Sequence, residues 1–583
     1  MVVSVMKWVA LTTLIAAGLV QIPSPVVRVS SGLLRGRLDP GGTYYQYFGV
    51  PYGTVDETNR FQAPLPPPTW EGVYNAVEEN TWCPQKFFGT NIPLGHPNCL
   101  KVNIYAPVTT SLAPTERFLP VMVFIHGGCF FEGSGTRFFY GGDYFTDHGV
   151  IFVGINYRLN VEGFLCLGIK EAPGNAGLKD QIAALKWIKQ NIRAFGGDPD
   201  NVTLFGESAG AVSISFLMLS PSANGLFHKA ILQSGSSLAP WGIQHDPIGI
   251  ASALVKEFGY NTKDPHEIYN ILSNIPYNDL IQAIKYSETK NWVTADILFV
   301  PCVENEIEGV EPIITQFPLE IISLGNYTKV PMIIGYNDRE GIFFVAKDFG
   351  TSVKEVDTAE FLKNDLVFSS TLEKNDTANK VRDYYFSSEQ DELIMSVVDL
   401  YSDLHFKFPS IIEMEMYART TDESLFFYLF RYSGYMNVPK MVSFFTGVRG
   451  ASHADELFYM MRPNVLPMPQ RWFDLHDQIT LQMMLTMWTN FAKYSDPTPV
   501  TSDLLPIKWL PSREWNPRAL VIDHILTTAP LWDESSARFW NDTYNKYRRK
   551  DYGFHHLNML SFSNKGDCCD FNRPICKNTT NNL

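Results

Sequence analysis

"LFGESAGA", residues 204 to 211, surrounds a single serine with glycine and alanine. "NVT" leads into it and reads, with Leu204 and Phe205, as the end of a buried strand, while "VSISFLMLS" follows as the start of an apolar helix. Gly206-Glu207-Ser208-Ala209-Gly210 fits G-x-S-x-G, the sharp strand-to-helix elbow that presents a strained serine. Residues two places either side of such a serine must be tiny, which accounts for Gly206 and Gly210. The five-residue pattern alone is weak; the strand before it and the helix after it make it specific.

The same alternation runs outward from the elbow. "LPVMVFIHGG" and "GVIFVGINYRL" read as buried strands, and "HKAILQSGS" as another. "NAGLKDQIAALKWIKQNIRAFGG" has apolar residues at helical spacing and a glycine stop. Strands alternating with helices predict an α/β fold with a mostly parallel central sheet and helices on both faces. "VVRVSSGLLRG" predicts an early hairpin, and "FQAPLPPPTW" (61–70) an irregular stretch. The second half is more helical but keeps "VPMIIGY" (330–336) and "LFFYLFRYS" (425–433) as strands. No repeat or low-complexity linker divides the chain, so it reads as one large catalytic domain, residues 26–545, with helical insertions.

The chain of 583 residues is 45% apolar, enough for a large core, and carries a formal charge of −14 with no long basic run. That argues against a nucleic-acid partner, which needs clustered Lys and Arg. Lys7 followed by the apolar run Trp8 to Val20 predicts a secretory signal peptide over residues 1–20, the run being shorter than the ~20 residues a bilayer span needs. No later stretch reaches membrane length, and "KNTTNNL" is neither an ER-retention signal nor a GPI tail. Secretion is therefore expected. Cys83 and Cys99 bracket a Gly- and Pro-rich loop and are expected to form a disulfide. Cys568, Cys569 and Cys576 lie in a tail, residues 550–583, with their pairing open. Sequons begin at Asn201, Asn326, Asn375, Asn541 and Asn578; Asn201 is expected to be buried at the start of the nucleophile strand, and the other four to be glycan sites.

Serine needs a base, and in elbow enzymes the order along the chain is serine, acid, histidine. His453, in the small-residue loop "RGASHADEL" before an apolar helix, is the leading candidate over His228, His405, His476, His555 and His556. The acid belongs on a loop after a strand, and "VPMIIGYNDREG" offers Asp338 and Glu340. "IHGGCF" (125–130) follows a buried strand and can aim backbone N–H groups at a developing oxyanion; Ala209, directly after the serine, adds another.

These elements in this order resemble the type-B carboxylesterase/cholinesterase family of α/β-hydrolases, over roughly residues 26 to 545. Further matches are "GVPYG" (49–53), "RF" (60–61), "NYRL" (156–159), "GNAGLKDQ" (174–181), "FGGDPDNVTLFGESAGA" (195–211), "QSGS" (233–236) and "WTNFAKYSDPTP" (488–499). The style is most like the insect carboxylesterases, including the antennal type. The resemblance implies Ser208 as nucleophile, Glu340 as acid in place of Asp338, His453 as base, and Gly128, Cys129 and Ala209 as oxyanion donors. It also implies Glu207 and Ser234 as supporting residues, a Cys83–Cys99 bridge, and neither metal nor cofactor. Cys129 stands where the family has glycine, so its side chain should narrow the acyl pocket. The family's second disulfide looks absent, because no cysteine occurs between Cys166 and Cys302.

The reaction expected is two-step ester hydrolysis through an acyl-enzyme, on small apolar carboxylic esters such as odorant, pheromone or xenobiotic esters. A choline ester is disfavoured: relatives that hold choline use a tryptophan inside the loop matching 83–99, and "PQKFFGTNIPLGHPN" has none. Juvenile hormone esterases, the nearer alternative, typically carry Gln where this chain has Glu207. The alternative of another class is a non-catalytic adhesion protein of the same fold, which would usually have lost a triad residue.

Overall fold

The computed structural model describes residues 21–108, 118–284, 293–347, 356–386, 393–465, 474–531 and 535–549. The expected signal peptide and the tail with Cys568, Cys569, Cys576 and Asn578 lie outside them.

One large twisted sheet organises the chain. Its strands are β1 (Pro23–Val29), β2 (Gly32–Leu38), β3 (Tyr44–Pro51), β4 (Lys101–Pro107), β5 (Leu119–Ile125), β6 (Ile151–Ile155), β7 (Gly197–Glu207), β8 (Lys229–Gln233), β9 (Met332–Asn337), β10 (Leu425–Phe430), β11 (Arg518–Ile522) and β12 (Thr527–Pro530). They lie in the order β1-β2-β3-β4-β6-β5-β7-β8-β9-β10-β11-β12, with the short strand Val73–Asn75 beside β2. From β6 to β11 every neighbouring pair is parallel, and the flanking strands are antiparallel. The expected hairpin is the β1–β2 pair, and 61–70 is irregular.

The central strands read as continuous apolar runs because helices cover both their faces. Residues Val121 to Ile125 are fully buried, as are Ile151, Phe152, Val153 and Ile155. Helix α1 (Ala176–Asn191) covers one face and ends in a short 3₁₀ turn stopped by Gly196 at φ +85°. Helix α2 (Ala209–Leu219) is buried on every side, which is why "AGAVSISFLML" shows no polar stripe. The other face carries an aromatic layer, including Phe124, Phe152, Phe205 and Tyr428, and Trp488 of the helix Leu475–Tyr494 packs onto it.

The motifs "RF", "NYRL" and "GNAGLKDQ" prove to be structural ties. The Arg158 guanidinium donates to both Asp180 oxygens, at 2.7 and 2.6 Å, and to the carbonyls of Asn59, Arg60 and Gln62. Arg60 pairs with Glu162 at 2.7 Å and Lys179 with Glu304 at 3.0 Å. These partners are buried, so removing one of them costs about 3–5 kcal/mol.

Three sequence expectations are corrected. Cys166 and Cys302 form a second disulfide with each other, 136 residues apart, so the bridge needs no cysteine between them. The Cys83–Cys99 bridge is also present. Asn201 is half-buried rather than buried, and its side chain accepts from Lys229 Nζ at 2.6 Å. Asn541 is fully buried on the inner side of the helix Ser535–Tyr547, which closes it to a glycan in the folded chain. Asn326 and Asn375 are exposed.

Candidate active site

The loops at the carboxyl ends of β5, β7, β8 and β9 meet at one place, the end of an open α/β sheet where ligands bind. Ser208 follows β7 at φ +58°, ψ −125°, a conformation outside the favoured regions that the surroundings must hold in place. The reason for its small neighbours is visible. A Cβ on Gly206 would stand 2.6 Å from the Ile125 carbonyl oxygen and 2.8 Å from the Gly210 backbone; one on Gly210 would stand 2.0 Å from that same oxygen. The elbow is pressed against β5, and side chains at these positions would push it off.

The loop after β5 takes three consecutive left-handed residues, Gly128 (φ +102°), Cys129 (φ +54°) and Phe130 (φ +61°). Successive amides in such a run point to one side and make an anion-binding concavity. Among the described residues the N–H groups of Gly128, Cys129 and Ala209 donate no hydrogen bond, whereas those of Phe131 and Glu132 fold back onto the Gly128 carbonyl at 3.0 Å. A Cβ on Gly127 would stand 3.0 Å from the Ser208 Cβ, which places this loop against the elbow. The Cys129 thiol is free and buried, and burial pushes its pKa up to about 12, so it is a neutral side chain here.

Glu340 and His453, 113 residues apart, are brought together. The imidazole Nδ1 lies 2.6 Å from Glu340 Oε2, while Glu340 Oε1 accepts from Ser234 Oγ at 2.5 Å and from the Asn337 N–H at 2.7 Å. Glu340 is fully buried and His453 is 4% exposed. Asp338, the other acid of "NDREG", has a different task. Its Oδ1 accepts the Ala451 N–H at 2.7 Å and so braces the loop that leads to His453, which continues into a 3₁₀ turn (Asp455–Tyr459) rather than an α-helix. The other histidines lie elsewhere. His228 Nδ1 accepts from the Val202 amide at 3.1 Å, and His405 is buried with neither ring nitrogen hydrogen-bonded among the described residues; His476 is on the Leu475–Tyr494 helix, and His555 and His556 lie outside the described residues.

Three features were not read from the sequence. The first is where His453 Nε2 points. It lies 2.9 Å from Glu207 Oε1, as an ionic contact rather than a directed hydrogen bond, and Ser208 Oγ makes no hydrogen bond among the described residues. Burial pushes the imidazole pKa down, but Glu207 and Glu340 outweigh it and hold it above its ordinary value. The Glu207 carboxyl is itself pushed up by burial, against the pull of His453. The second is Glu456, three residues past His453. It accepts from Gln233 Nε2 at 3.0 Å and from Asn337 Nδ2 at 2.5 Å, and burial, then Glu207 and Glu340, push its pKa up to about 8. The third is an aromatic wall against the imidazole: Phe406, Phe344 and Phe343, with ring centres 4.6, 5.1 and 6.1 Å away. Phe343 and Phe344 follow Glu340 at i+3 and i+4, a helical spacing that places them on its side of the short helix Gly341–Ala346.

Among the described residues no group of three or more His, Cys, Asp or Glu side chains could hold a metal ion, and no helix is long and apolar enough to cross a membrane. A strained serine turn crowning the central strand of such a mixed sheet defines an α/β-hydrolase. The comparisons narrow this further. The chain belongs to the carboxylesterase family, whose model matches residues 23–540, and it is a carboxylic ester hydrolase. It is 31% identical over 529 residues to the bile salt-activated lipase of Rattus norvegicus, covering 86% of this chain and 82% of that one. It is 31% identical over 493 residues to the juvenile hormone esterase of Tribolium castaneum, covering 78% and 80%. The crystal structure of juvenile hormone esterase from Manduca sexta, with OTFP covalently attached, superposes with a TM-score of 0.77 at 32% identity, covering 90% of this chain and 100% of that one.

Proposed function

We propose that this chain is a secreted serine carboxylesterase that hydrolyses small, uncharged, apolar esters through an acyl-enzyme on Ser208. The observation that carries the reading is the His453 imidazole, clamped by Glu340 at 2.6 Å on one side and lying 2.9 Å on the other from Glu207, the residue before the strained Ser208 elbow. Ser208 Oγ attacks the ester carbonyl carbon while His453 Nε2 takes the hydroxyl proton. The N–H groups of Gly128, Cys129 and Ala209 receive the oxyanion. Collapse expels the alcohol, which takes its proton from the imidazolium; His453 then activates water to release the acid. Glu340 holds the imidazole tautomer, and Ser234 and the Asn337 amide hold Glu340. Nε2 must turn from Glu207 to Ser208 for the first step, and catalytic hydrogen bonds commonly tighten only when substrate binds. Two disulfides support passage through an oxidising compartment.

Titration with a covalent organophosphate tests the reading. One equivalent should label the parent chain and abolish p-nitrophenyl ester hydrolysis, and Ser208→Ala should neither label nor turn over. A parent chain that takes no label would favour the non-catalytic adhesion reading. A juvenile hormone ester is the second reading for the substrate, supported by the likeness to two hormone esterases. Glu207 counts against it, and hydrolysis of the hormone slower than that of simple apolar esters would dismiss it.

A further inference from the structure

Lys347 closes the helix Gly341–Ala346, seven residues beyond Glu340. Its ammonium stands over three phenylalanine rings, 5.0 Å from the centre of Phe343, 5.7 Å from Phe131 and 6.0 Å from Phe344. Glu132 Oε1 lies 3.5 Å from it. Two of the rings belong to the wall beside His453. Phe131 and Glu132 belong to the loop that starts with Gly128 and Cys129. The cluster therefore bridges both loops of the candidate site, and the Lys347 side chain is only 17% exposed, so solvent screens its charge poorly. Aromatic faces within about 6 Å of a cation are the means by which proteins hold quaternary ammonium ligands. Here the cage already contains a cation of the chain's own.

We propose that Lys347 occupies, from within, the aromatic cage at the active site and thereby selects against esters that carry a positive charge. The inference rests on the Ser208–His453 site proposed above and names a specificity residue for it. A cationic ester entering beside His453 meets rings already engaged and an ammonium of like charge. An uncharged ester needs no such cage and keeps the apolar surface of the wall. Glu132 holds the ammonium in place.

The test compares two thioesters of equal shape on the purified full chain. Acetylthiocholine is cationic; 3,3-dimethylbutyl thioacetate replaces its nitrogen by carbon. The parent should favour the neutral compound in kcat/KM. Lys347→Met should raise the cationic-to-neutral ratio by about tenfold or more, the effect of one partly buried like charge at an effective dielectric of about 20. Lys347→Gln should do the same, and Lys347→Arg should keep the parent ratio. Organophosphate titration counts folded sites in each preparation, and the ratio is independent of that count. A parent with no preference, or neutral variants with the parent ratio, would overturn the cage while Ser208-dependent turnover leaves the site reading intact. Turnover that survives in Ser208→Ala would overturn both.

Discussion

Replacing Glu207 by Gln should move the acid limb of the activity profile to lower pH. In the resting structure Glu207 Oε1 is 2.9 Å from His453 Nε2, with both side chains at least nine-tenths buried. An opposite charge this close favours the imidazolium, by about one to three pKa units for pairs within a few ångströms. The Glu207 carboxyl is raised by its own burial, so part of the attraction goes into keeping it ionised, and the lower half of that range is expected. In the proposed mechanism His453 acts as base only when neutral. On the acid side of the limb, activity drops tenfold per unit, so a shift of one to two units gives Glu207→Gln an advantage of about 10- to 100-fold in kcat/KM at pH 5.5. The same shift has a stability sign. A raised folded pKa contributes stability that is fully present below the unfolded value of about 6.5 and is lost as pH rises through the folded value. The melting midpoint of the variant should therefore fall relative to the parent below that pH and recover as pH rises. The assay is p-nitrophenyl butyrate hydrolysis from pH 4.5 to 9, on preparations normalised by organophosphate titration. An acid limb that stays where the parent's lies would refute the argument and imply that Glu207 is already protonated when the enzyme works.

By the loop-closure model, removing Cys166–Cys302 should cost about 5 kcal/mol and removing Cys83–Cys99 about 3, because the closed segments differ from 136 to 16 residues. Paired Cys→Ser variants compared by urea midpoint should show that order. Cys129→Gly should raise kcat/KM for p-nitrophenyl esters of long or branched acids by about tenfold relative to the acetate, since the buried thiol stands at the donor loop; an unchanged ratio would show that the thiol does not crowd the acyl group. Burial lowers the pKa of His126 to about 4 and of His405 to about 3. Both are below the unfolded value, so the unfolded chain binds more protons between these values and about 6.5, and stability should fall as pH drops through that window, by up to about 2.7 kcal/mol per unit for the pair. His405→Leu, with no proton to gain, should flatten the slope if the fold tolerates it, and His126→Gln gives an independent reading of the same term.

How far the sequence carries depends on whether a residue's task is local. The elbow was legible because steric conflict with β5 leaves only glycine at 206 and 210, and the pattern repeats that conflict in letters. The central strands were legible because burial on both faces removes polar residues from them. The choice between Asp338 and Glu340 was not legible in the local pattern, since both sit in the same turn; only the family resemblance pointed to Glu340. Their roles separate only when the 449–453 loop arrives, giving one the Ala451 amide and the other the imidazole. The second disulfide was hidden for the same reason. Cys166 and Cys302 meet because "GNAGLKDQ" folds between them: Asn175 bonds the Cys302 backbone in both directions, and a Cβ on Gly174 would stand 2.7 Å from the Cys302 sulfur. Nothing in the spacing records that.

The number of donors on each acid explains why these buried carboxyls are not interchangeable. Three glutamates are buried in this region: Glu207 and Glu340 against the imidazole, and Glu456 against Gln233 and Asn337. A charge in such a place persists only if hydrogen bonds replace its lost water. Among the described residues Glu340 has three donors, namely Ser234 Oγ, the Asn337 amide and His453 Nδ1. Glu456 has two, both neutral amide side chains. Glu207 Oε1 has none that is directed, only the ionic contact. In the proposed mechanism these donors let Glu340 hold the ring in one orientation throughout a turnover. Among the described residues Glu207 is held by the charge of the imidazolium, and its grip should loosen whenever His453 gives up its proton. In the proposed mechanism a neutral Nε2 can then turn to Ser208, so one side of the ring is fixed and the other is conditional.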